Sequence, residues 1–470
     1  MSKDKNQNDK LQKIVSLCKR RGFVFQSSEI YGGLKSAYDY GPLGVELKRN
    51  IAAKWWTDTV AKREDVVGLD ASIMMHQNVW RASGHLSGFS DPLVDCLNCK
   101  ERFRADKAPK VEEGTEITFF KGGKTSGEKI TGKAGAVGYV CPHCGASELS
   151  DERQFNLMFR TAIGPVDVYD GSIYLRPETA QAMFVQFLNV QQSQSLKIPF
   201  GIAQQGKSFR NEVTTEKFVF RTCEFEQMEM EWFCEPGTQK DWHKYWCEER
   251  LKWWQELSNS PEDFMLREHE PDELAHYADG CFDIEYKYPW GFDELEGVAS
   301  RTDYDLKKHA EHSGSKISYF DQQKEDPETG KMGYRYTPFV IEPAAGLTRE
   351  EKVDAKGNKS IRVLLKLNPK IAPVKVAVMP LVKKAGLPDL SRSIVNKFFD
   401  AGINASYDEQ QSIGKRYAKN DEIGTPYCIT VDHQSLEDNT VTIRDRDTTE
   451  QERISIDDAL SVVKDKILKS

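Results

Sequence analysis

The sequence predicts an α+β protein: a large domain on an antiparallel β-sheet, carrying a cysteine-bearing insertion and followed by a small α/β domain. Three observations lead there. Between Gly206 and Phe233 (GKSFRNEVTTEKFVFRTCEFEQMEMEWF) two runs of period-2 alternation flank a polar turn, TTEK, as in an antiparallel hairpin. Two Cys-x-x-Cys pairs, Cys96/Cys99 and Cys141/Cys144, bracket a Gly/Lys-rich stretch, KGGKTSGEKITGKAGAVG. From Asn368-Pro369 onward, strand-like runs (APVKVAVMPL, INASYD, PYCITVD, TVTIRDRD) alternate with helical ones (SRSIVNKFFDAGI, ISIDDALSVVKDKIL), which predicts a largely parallel sheet.

The 470 residues suggest roughly two or three domains. The expected boundaries are a disordered tail over 1–10, a main domain over 11–368 with the insertion at about 93–150, and a final domain over 369–470. With 39% hydrophobic and 29% charged residues the composition is that of an ordinary globular protein. No run approaches the roughly 20 apolar residues of a membrane helix, and the start, MSKDKNQNDK, lacks a signal-peptide core. The cytoplasm and no membrane partner are the expectation. A net charge of −8 argues against a protein that coats nucleic acid non-specifically, though local basic patches would still permit an RNA partner. Of ten cysteines, four form the two pairs and the others are scattered singly, which fits a reducing compartment better than a disulfide framework.

Taken in order, LQKIVSLCKRRGF reads as an amphipathic helix with Leu11, Ile14, Val15 and Cys18 on one side. Pro42 opens a second helix, a common place for proline. Four thiolates from two tight knuckles complete a tetrahedral zinc shell, which leaves no open position and makes the metal structural; unligated thiols are the alternative. His143 in CPHC reads as a knuckle residue. Arg102 and Arg104 follow in a basic turn. Pro177 and Glu178 stand at a helix start, where Glu178 complements the helix dipole. In the hairpin, Gly206, Ser208, Arg210 and Glu212 share one face of the first run, and Arg221, Cys223, Phe225, Gln227, Glu229 and Glu231 one face of the second. Glu224, Glu226, Met228, Met230 and Trp232 take the other. Glutamate is depleted in strands, so Glu224, Glu226, Glu229 and Glu231 in one strand ask for a reason beyond packing. Arginines, an aromatic ring, an amide and carboxylates together suit a triphosphate, a purine and an ammonium group; a solvated edge hairpin with cross-strand ion pairs is the alternative. The tryptophan-rich run within 236–290 reads as a packing helix. Glu294 and Glu296 would share a face if extended, a pair suited to magnesium or to a plain surface strand. In the last domain Lys415, Arg416, Arg444 and Arg446 are weak candidates for RNA contact or simply solvated.

Arg210 and Glu212 in FRNE, the turn, and Arg221 with EFEQMEME resemble motif 2 of class II aminoacyl-tRNA synthetases, and EFEQME is similar to the dimeric glycyl-tRNA synthetases. The helix at Pro42 resembles motif 1, which implies a homodimer. RPETAQ resembles the segment whose glutamate, here Glu178, meets the substrate ammonium, and RAD places Arg104 on the substrate side. RYTPFVIEPAAGLTR resembles motif 3, with Glu342 a further carboxylate on the ammonium and Arg349 against adenine and the terminal phosphate. GKRYAKNDEIGTP and RDRDTTEQ resemble words of an anticodon-binding domain. The resemblance thus implies a class II synthetase-like catalytic domain with a zinc-binding insertion and a C-terminal α/β anticodon-binding domain. Implied partners are glycine, ATP with magnesium, and tRNA(Gly).

Residue by residue, the resemblance assigns Arg210 and Arg349 to catalysis. It assigns the amino acid to Arg104, Glu178, Phe225, Glu226, Gln227, Met228, Glu229, Glu342, Pro343, Ala344, Ala345 and Gly346. ATP is given Arg210, Asn211, Glu212, Phe220, Arg221, Thr222, Cys223, Glu224, Phe225, Glu294, Leu295, Gly346, Leu347, Thr348 and Arg349, with Glu294 and Glu296 for magnesium. Phe225 would stack on adenine and Arg210 hold the α-phosphate. The glycine carboxylate is already an anion at neutral pH, so activation needs no general base. Clustered carboxylates raise one another's pKa until a cation arrives, so glycine affinity should weaken as pH falls. Two departures stand out. Ala344 sits where relatives often have serine, and after Arg349 the chain runs into the charged EEKVDAKGNKS where relatives have an apolar helix. The second departure motivates an alternative, a synthetase-derived RNA-binding protein with weak or no catalysis.

Overall fold

The computed structural model describes residues 2–34, 36–123, 128–163, 172–212, 218–347, 364–384 and 386–469. The TTEK turn, Thr348, Arg349 and EEKVDAKGNKS lie outside the described residues.

The main domain is built on one seven-stranded sheet. Its strands are β1 (Val66–Gly68), β2 (Phe200–Phe209), β3 (Glu224–Cys234), β4 (Phe264–Glu268), β5 (Gly280–Tyr288), β6 (Gly291–Thr302) and β7 (Phe339–Gly346), in the order β4-β5-β6-β7-β3-β2-β1. Every neighbouring pair is antiparallel except β1 with β2. The predicted hairpin is β2 with β3, in register from Phe200↔Phe233 to Phe209↔Glu224.

Period 2 sends Met228, Met230 and Trp232 to one side, where they pack with Ile341, Ala345 and Val298. Helix α1 (Ser2–Arg21) and helix α2 (Pro42–Trp56) precede the sheet in the chain, and Ile51 and Trp55 of α2 join this core. Two helices, α3 (Ala180–Val185) and α4 (Gln239–Leu257), flank the hairpin in sequence. Trp246, Trp253, Trp254 and Leu257 of α4 close the core beneath the sheet, as the tryptophan-rich pattern requires. Burial of Leu257, like that of Met228 and Met230, contributes about 1.5–3 kcal/mol. The opposite side carries α3 and α5 (Tyr304–Ser313), with Phe184, Phe187, Phe200, Phe233 and Leu306 packed together. Beyond the phenylalanine cluster, this second side of the sheet carries the polar residues Gln227, Glu229 and Glu342.

The expected tail over 1–10 is instead the start of α1. SKDKNQNDK holds neither proline nor glycine, so nothing in it stops the helix from extending backward. Arg21 at the end of α1 pairs with Glu422 of the C-terminal domain, and Arg20 reaches the same carboxylate at 3.0 Å. The insertion closes where Arg153–Asn156 pairs with Ser90–Asp95.

The C-terminal domain has strands β8 (Val376–Pro380), β9 (Ala405–Tyr407), β10 (Tyr427–Val431), β11 (Thr440–Asp445) and β12 (Gln451–Ser455) in the order β9-β8-β10-β11-β12. Helices α6 (Leu387–Asp400), α7 (Ile413–Glu422) and α8 (Ala459–Lys469) complete it, with Ile394, Phe398 and Val463 against Val378 and Ile429. The sheet is mixed rather than largely parallel, because β10-β11 and β11-β12 are antiparallel. The short links between these strands leave no room for a crossover helix. Arg416, Arg444 and Arg446 are neither solvated nor open to RNA. All three are buried: Arg416 donates to the Pro380 carbonyl, Arg444 pairs with Asp421 at 3.0 Å, and Arg446 donates to the Gly424 carbonyl. Lys415 is exposed. Among the described residues no helix is long and apolar enough to cross a membrane.

Candidate active site

The front face of β3 and β7 gathers carboxylates around one buried arginine. Arg301, at the end of β6, donates to Glu342 on β7 at 2.7 Å and grips Asp305 of α5 with two bonds of 2.8 and 3.0 Å. Burial opposes its charge, but Asp305 and Glu342 outweigh that. The Gln181 amide of α3 donates to both Glu178 and Asp305 at 3.0 Å, and His309 Nε2 donates to the Gln181 carbonyl oxygen at 2.8 Å. Burial pulls His309 down to about 4, so it stays a neutral donor. Glu178 Oε2 lies 3.4 Å from His85 Nε2. Burial disfavours the Glu178 charge, yet His85, Arg301 and the Gln181 amide hold its carboxyl well below the usual range.

Glu229 on β3 accepts from the Thr179 backbone N–H (3.0 Å), the Thr179 hydroxyl and the Gln227 amide (2.9 Å). Those donors do not offset its surroundings. Burial first, then the charges of Glu342 and Glu178, push it up to about 8. Glu342 is likewise raised by burial, against the pull of Arg301. Such a pocket attracts a small cation, and ionises more fully once one is bound.

Arg210 adjoins this pocket. Its Nε donates to the Pro177 carbonyl at 3.0 Å, one residue from Glu178, and its guanidinium lies over Phe89 and Phe225 at 5.4 and 5.3 Å. Phe89 in turn packs against His85 at 5.2 Å, so Arg210, His85 and Glu178 border one cleft. Gly206 is required at its position on β2: a Cβ there would meet the Arg176 guanidinium at 2.3 Å, and Arg176 pins the Lys207 and Ala71 carbonyls beside the cleft. Farther along the hairpin, Arg221 is exposed with Glu212 3.9 Å away. Arg104 of the insertion pairs with Asp91 at 2.8 Å and feels the charge of Glu212, which puts the insertion beside this end of the hairpin.

Relatives fix what such a chain is. It is 49% identical to the glycine–tRNA ligase of Treponema denticola, with 97% of each chain covered. The chain belongs to the glycine–tRNA ligase family. It is also 49% identical to the glycine–tRNA ligase of Bifidobacterium longum (95% of this chain, 91% of that one) and 48% identical to that of Borrelia hermsii (98% of each). The anticodon binding domain family matches residues 375–466 of this glycine–tRNA ligase family member.

On this family member the expected residues divide by strand geometry. Phe225, Gln227, Glu229, Glu342, Ala344 and Gly346 face the cleft, since cross-strand partners share a face and Glu229 pairs with Ala344 and Gln227 with Gly346. Glu226, Met228, Pro343 and Ala345 do not. Glu226 pairs with Lys48 of α2 at 2.6 Å, Met228 and Ala345 are core residues, and Pro343 is buried beside them. A contiguous motif on a strand offers only alternate side chains to a ligand. Leu295 and Leu347 also belong to the core. Glu294 and Glu296 do not share a face, because a bulge at Leu295 pairs Glu296 with Ile284 but Glu294 with Glu285. Glu296 turns to the core and is held by Arg250 (2.7 and 3.0 Å) and the Trp254 indole N–H, so it does not fit as a magnesium ligand. Around the hairpin, Asn211 donates its backbone N–H to Leu157, Thr222 its hydroxyl to the Glu224 carbonyl, and Cys223 its N–H to Ser36. Glu224 pairs with Lys207, and Phe220 packs edge-on to Tyr288 and Trp290. Arg301, Asp305, Gln181, His85 and Thr179 were not picked out as site residues by pattern. Arg301 near the end of β6 and Asp305 in the first turn of α5 are four residues apart, and that spacing is the local signal that could have marked the pair.

The four cysteine sulfurs form a separate centre. Cys96 and Cys144 are 3.6 Å apart, Cys99 and Cys141 3.7 Å, and all four sulfurs lie within 4.8 Å of one another. A tetrahedral shell with zinc–sulfur bonds of about 2.3 Å has sulfur–sulfur edges of about 3.8 Å, so the set fits. Each pair ends on a left-handed residue, Lys100 or Gly145, whose N–H closes back onto Cys96 or Cys141 at 2.9 and 2.8 Å. His143 is exposed and outside the cluster.

Proposed function

We propose that this chain is a glycine–tRNA ligase, activating glycine with ATP to glycyl-adenylate and passing the glycyl group to the 3′ end of tRNA(Gly). The observation that carries this is Arg210 bonded to the Pro177 carbonyl next to Glu178, beside the sheet face shared by Glu229 and Glu342, in a chain 49% identical over 97% of its length to a ligase of that name. Glu178, Glu229 and Glu342 bind the glycine ammonium, and Arg301 holds Glu342 in place. Glycine has no side chain to grip, so affinity rests on charge, and the walls of the pocket exclude alanine by clash. The glycine carboxylate attacks the α-phosphorus of ATP and pyrophosphate leaves. Arg210 neutralises the charge that develops on the α-phosphate, with Arg221 toward the outer phosphates and Arg349, by sequence alone, in the same task. Magnesium comes with ATP, as family membership implies; no step here is assigned to a protein-bound ion.

Cys96, Cys99, Cys141 and Cys144 would hold a structural zinc that locks the insertion, and with it Arg104, beside the hairpin. The catalytic domain spans 11–368 with the insertion at about 93–150, and 369–470 reads the anticodon. The enzyme works in the cytoplasm as a homodimer. Ile30 and Tyr31, each 88% exposed on the turn before α2, support a second copy as partner. Charging of tRNA(Gly) transcript with labelled glycine tests the reading; the RNA-binding alternative requires tRNA binding with little or no charging.

A further inference from the structure

Glu231 has no role in the scheme above, yet it is the least accommodated polar group beside the cleft. It is fully buried, and among the described residues neither carboxyl oxygen has a hydrogen-bond donor. An uncompensated buried charge is too costly to keep without a reason. The β3–β7 register, which pairs Glu229 with Ala344 and Trp232 with Ile341, sets Glu231 directly opposite Glu342. On β2 its cross-strand neighbour is the apolar Ile202. The charged groups that face it are Glu342 from β7, Arg301 from β6 and Glu229 from its own strand. Two carboxylates set against each other cannot bond unless one carries a proton. One Glu342 oxygen is already taken by Arg301.

We infer that Glu231 is a positioning residue for glycine: it keeps a proton and donates it to Glu342, so that Glu342 is held from two sides and presents a fixed charge to the ammonium. Burial, with the charge of Glu342 next, pushes the Glu231 carboxyl well above the ordinary range, in keeping with a proton held at neutral pH. The inference rests on the glycine-activating reading and deepens it.

The test uses the full-length enzyme in glycine-dependent ATP–pyrophosphate exchange, with the wild type as control for the reading itself. Glu231→Gln keeps the shape and supplies an amide donor, so its glycine KM should stay within about threefold of wild type. Glu231→Ala leaves Glu342 without that donor, so its glycine KM should rise at least about tenfold with the ATP KM unchanged. Infrared difference spectra at pH 7, with glycine saturating so that Glu229 is ionised, should show a protonated-carboxyl band in the wild type that Glu231→Gln removes. A wild type that exchanges normally, with Glu231→Gln as impaired for glycine as Glu231→Ala, or with the band surviving Glu231→Gln, overturns the inference. A wild type with no glycine-dependent exchange overturns the underlying reading instead.

Discussion

Glycine affinity should depend steeply on pH below about 8, because Glu229 sits near that value in the empty pocket. An ionised Glu229 is what the ammonium meets, and about a tenth of the molecules have one at pH 7, about a hundredth at pH 6. If binding selects that fraction, the glycine KM falls about tenfold from pH 6 to 7 and about fivefold from pH 7 to 8. The ATP KM should stay flat over the same range, since Glu229 serves the ammonium and not the phosphates. The assay is pyrophosphate exchange at saturating ATP across pH 6–8.5, on the wild type and on Glu229→Gln. The variant should bind glycine weakly at every pH and show little slope. Stability runs the other way. The folded-state pKa is raised above the unfolded 4.5, so this contribution is intact below about 4.5 and is lost as pH rises toward about 8. Without ligand, the wild type should therefore lose melting temperature relative to Glu229→Gln between pH 5 and 8, and saturating glycine should restore part of it. A glycine KM that is flat in the wild type, or equally sloped in the variant, refutes the reasoning.

Other perturbations follow from the same contacts. Thr179→Val removes the hydroxyl that donates to Glu229, so the pH profile should shift upward and the glycine KM at pH 7 rise several-fold, read by the same exchange assay. Arg301→Met strands Asp305 and Glu342 as unpaired buried charges and should cost about 3–5 kcal/mol in denaturant unfolding. Cys141→Ser should abolish stoichiometric zinc measured by elemental analysis, while Cys247→Ala, in the core beneath the sheet and away from the four sulfurs, should leave it intact.

The hairpin and its two faces were legible because period 2 is a local property, and nothing between Phe200 and Phe209 or Glu224 and Cys234 breaks it. The cysteine cluster was legible for the same reason, each half being a short knuckle. What escaped depended on single extra residues or on distant partners. The bulge at Leu295 reverses the facing of Glu294 and Glu296, and no composition signal marks it. Arg416, Arg444 and Arg446 looked like a basic surface, but each has oxygens waiting from other parts of the domain, which a linear charge run does not reveal. Arg301 organises the pocket by joining α5 to β7, 41 residues apart in the case of Glu342. Pattern reading also spread the amino-acid site over whole words such as EFEQME, although the pleat lets only every second side chain reach the cleft.

The most direct measurement is pyrophosphate exchange by the wild type with glycine, alanine and serine offered separately at equal concentration. A cleft that joins arginines for ATP to carboxylates for a bare ammonium predicts robust exchange with glycine and next to none with the other two. Absence of exchange with glycine, or equal rates with alanine, would contradict it.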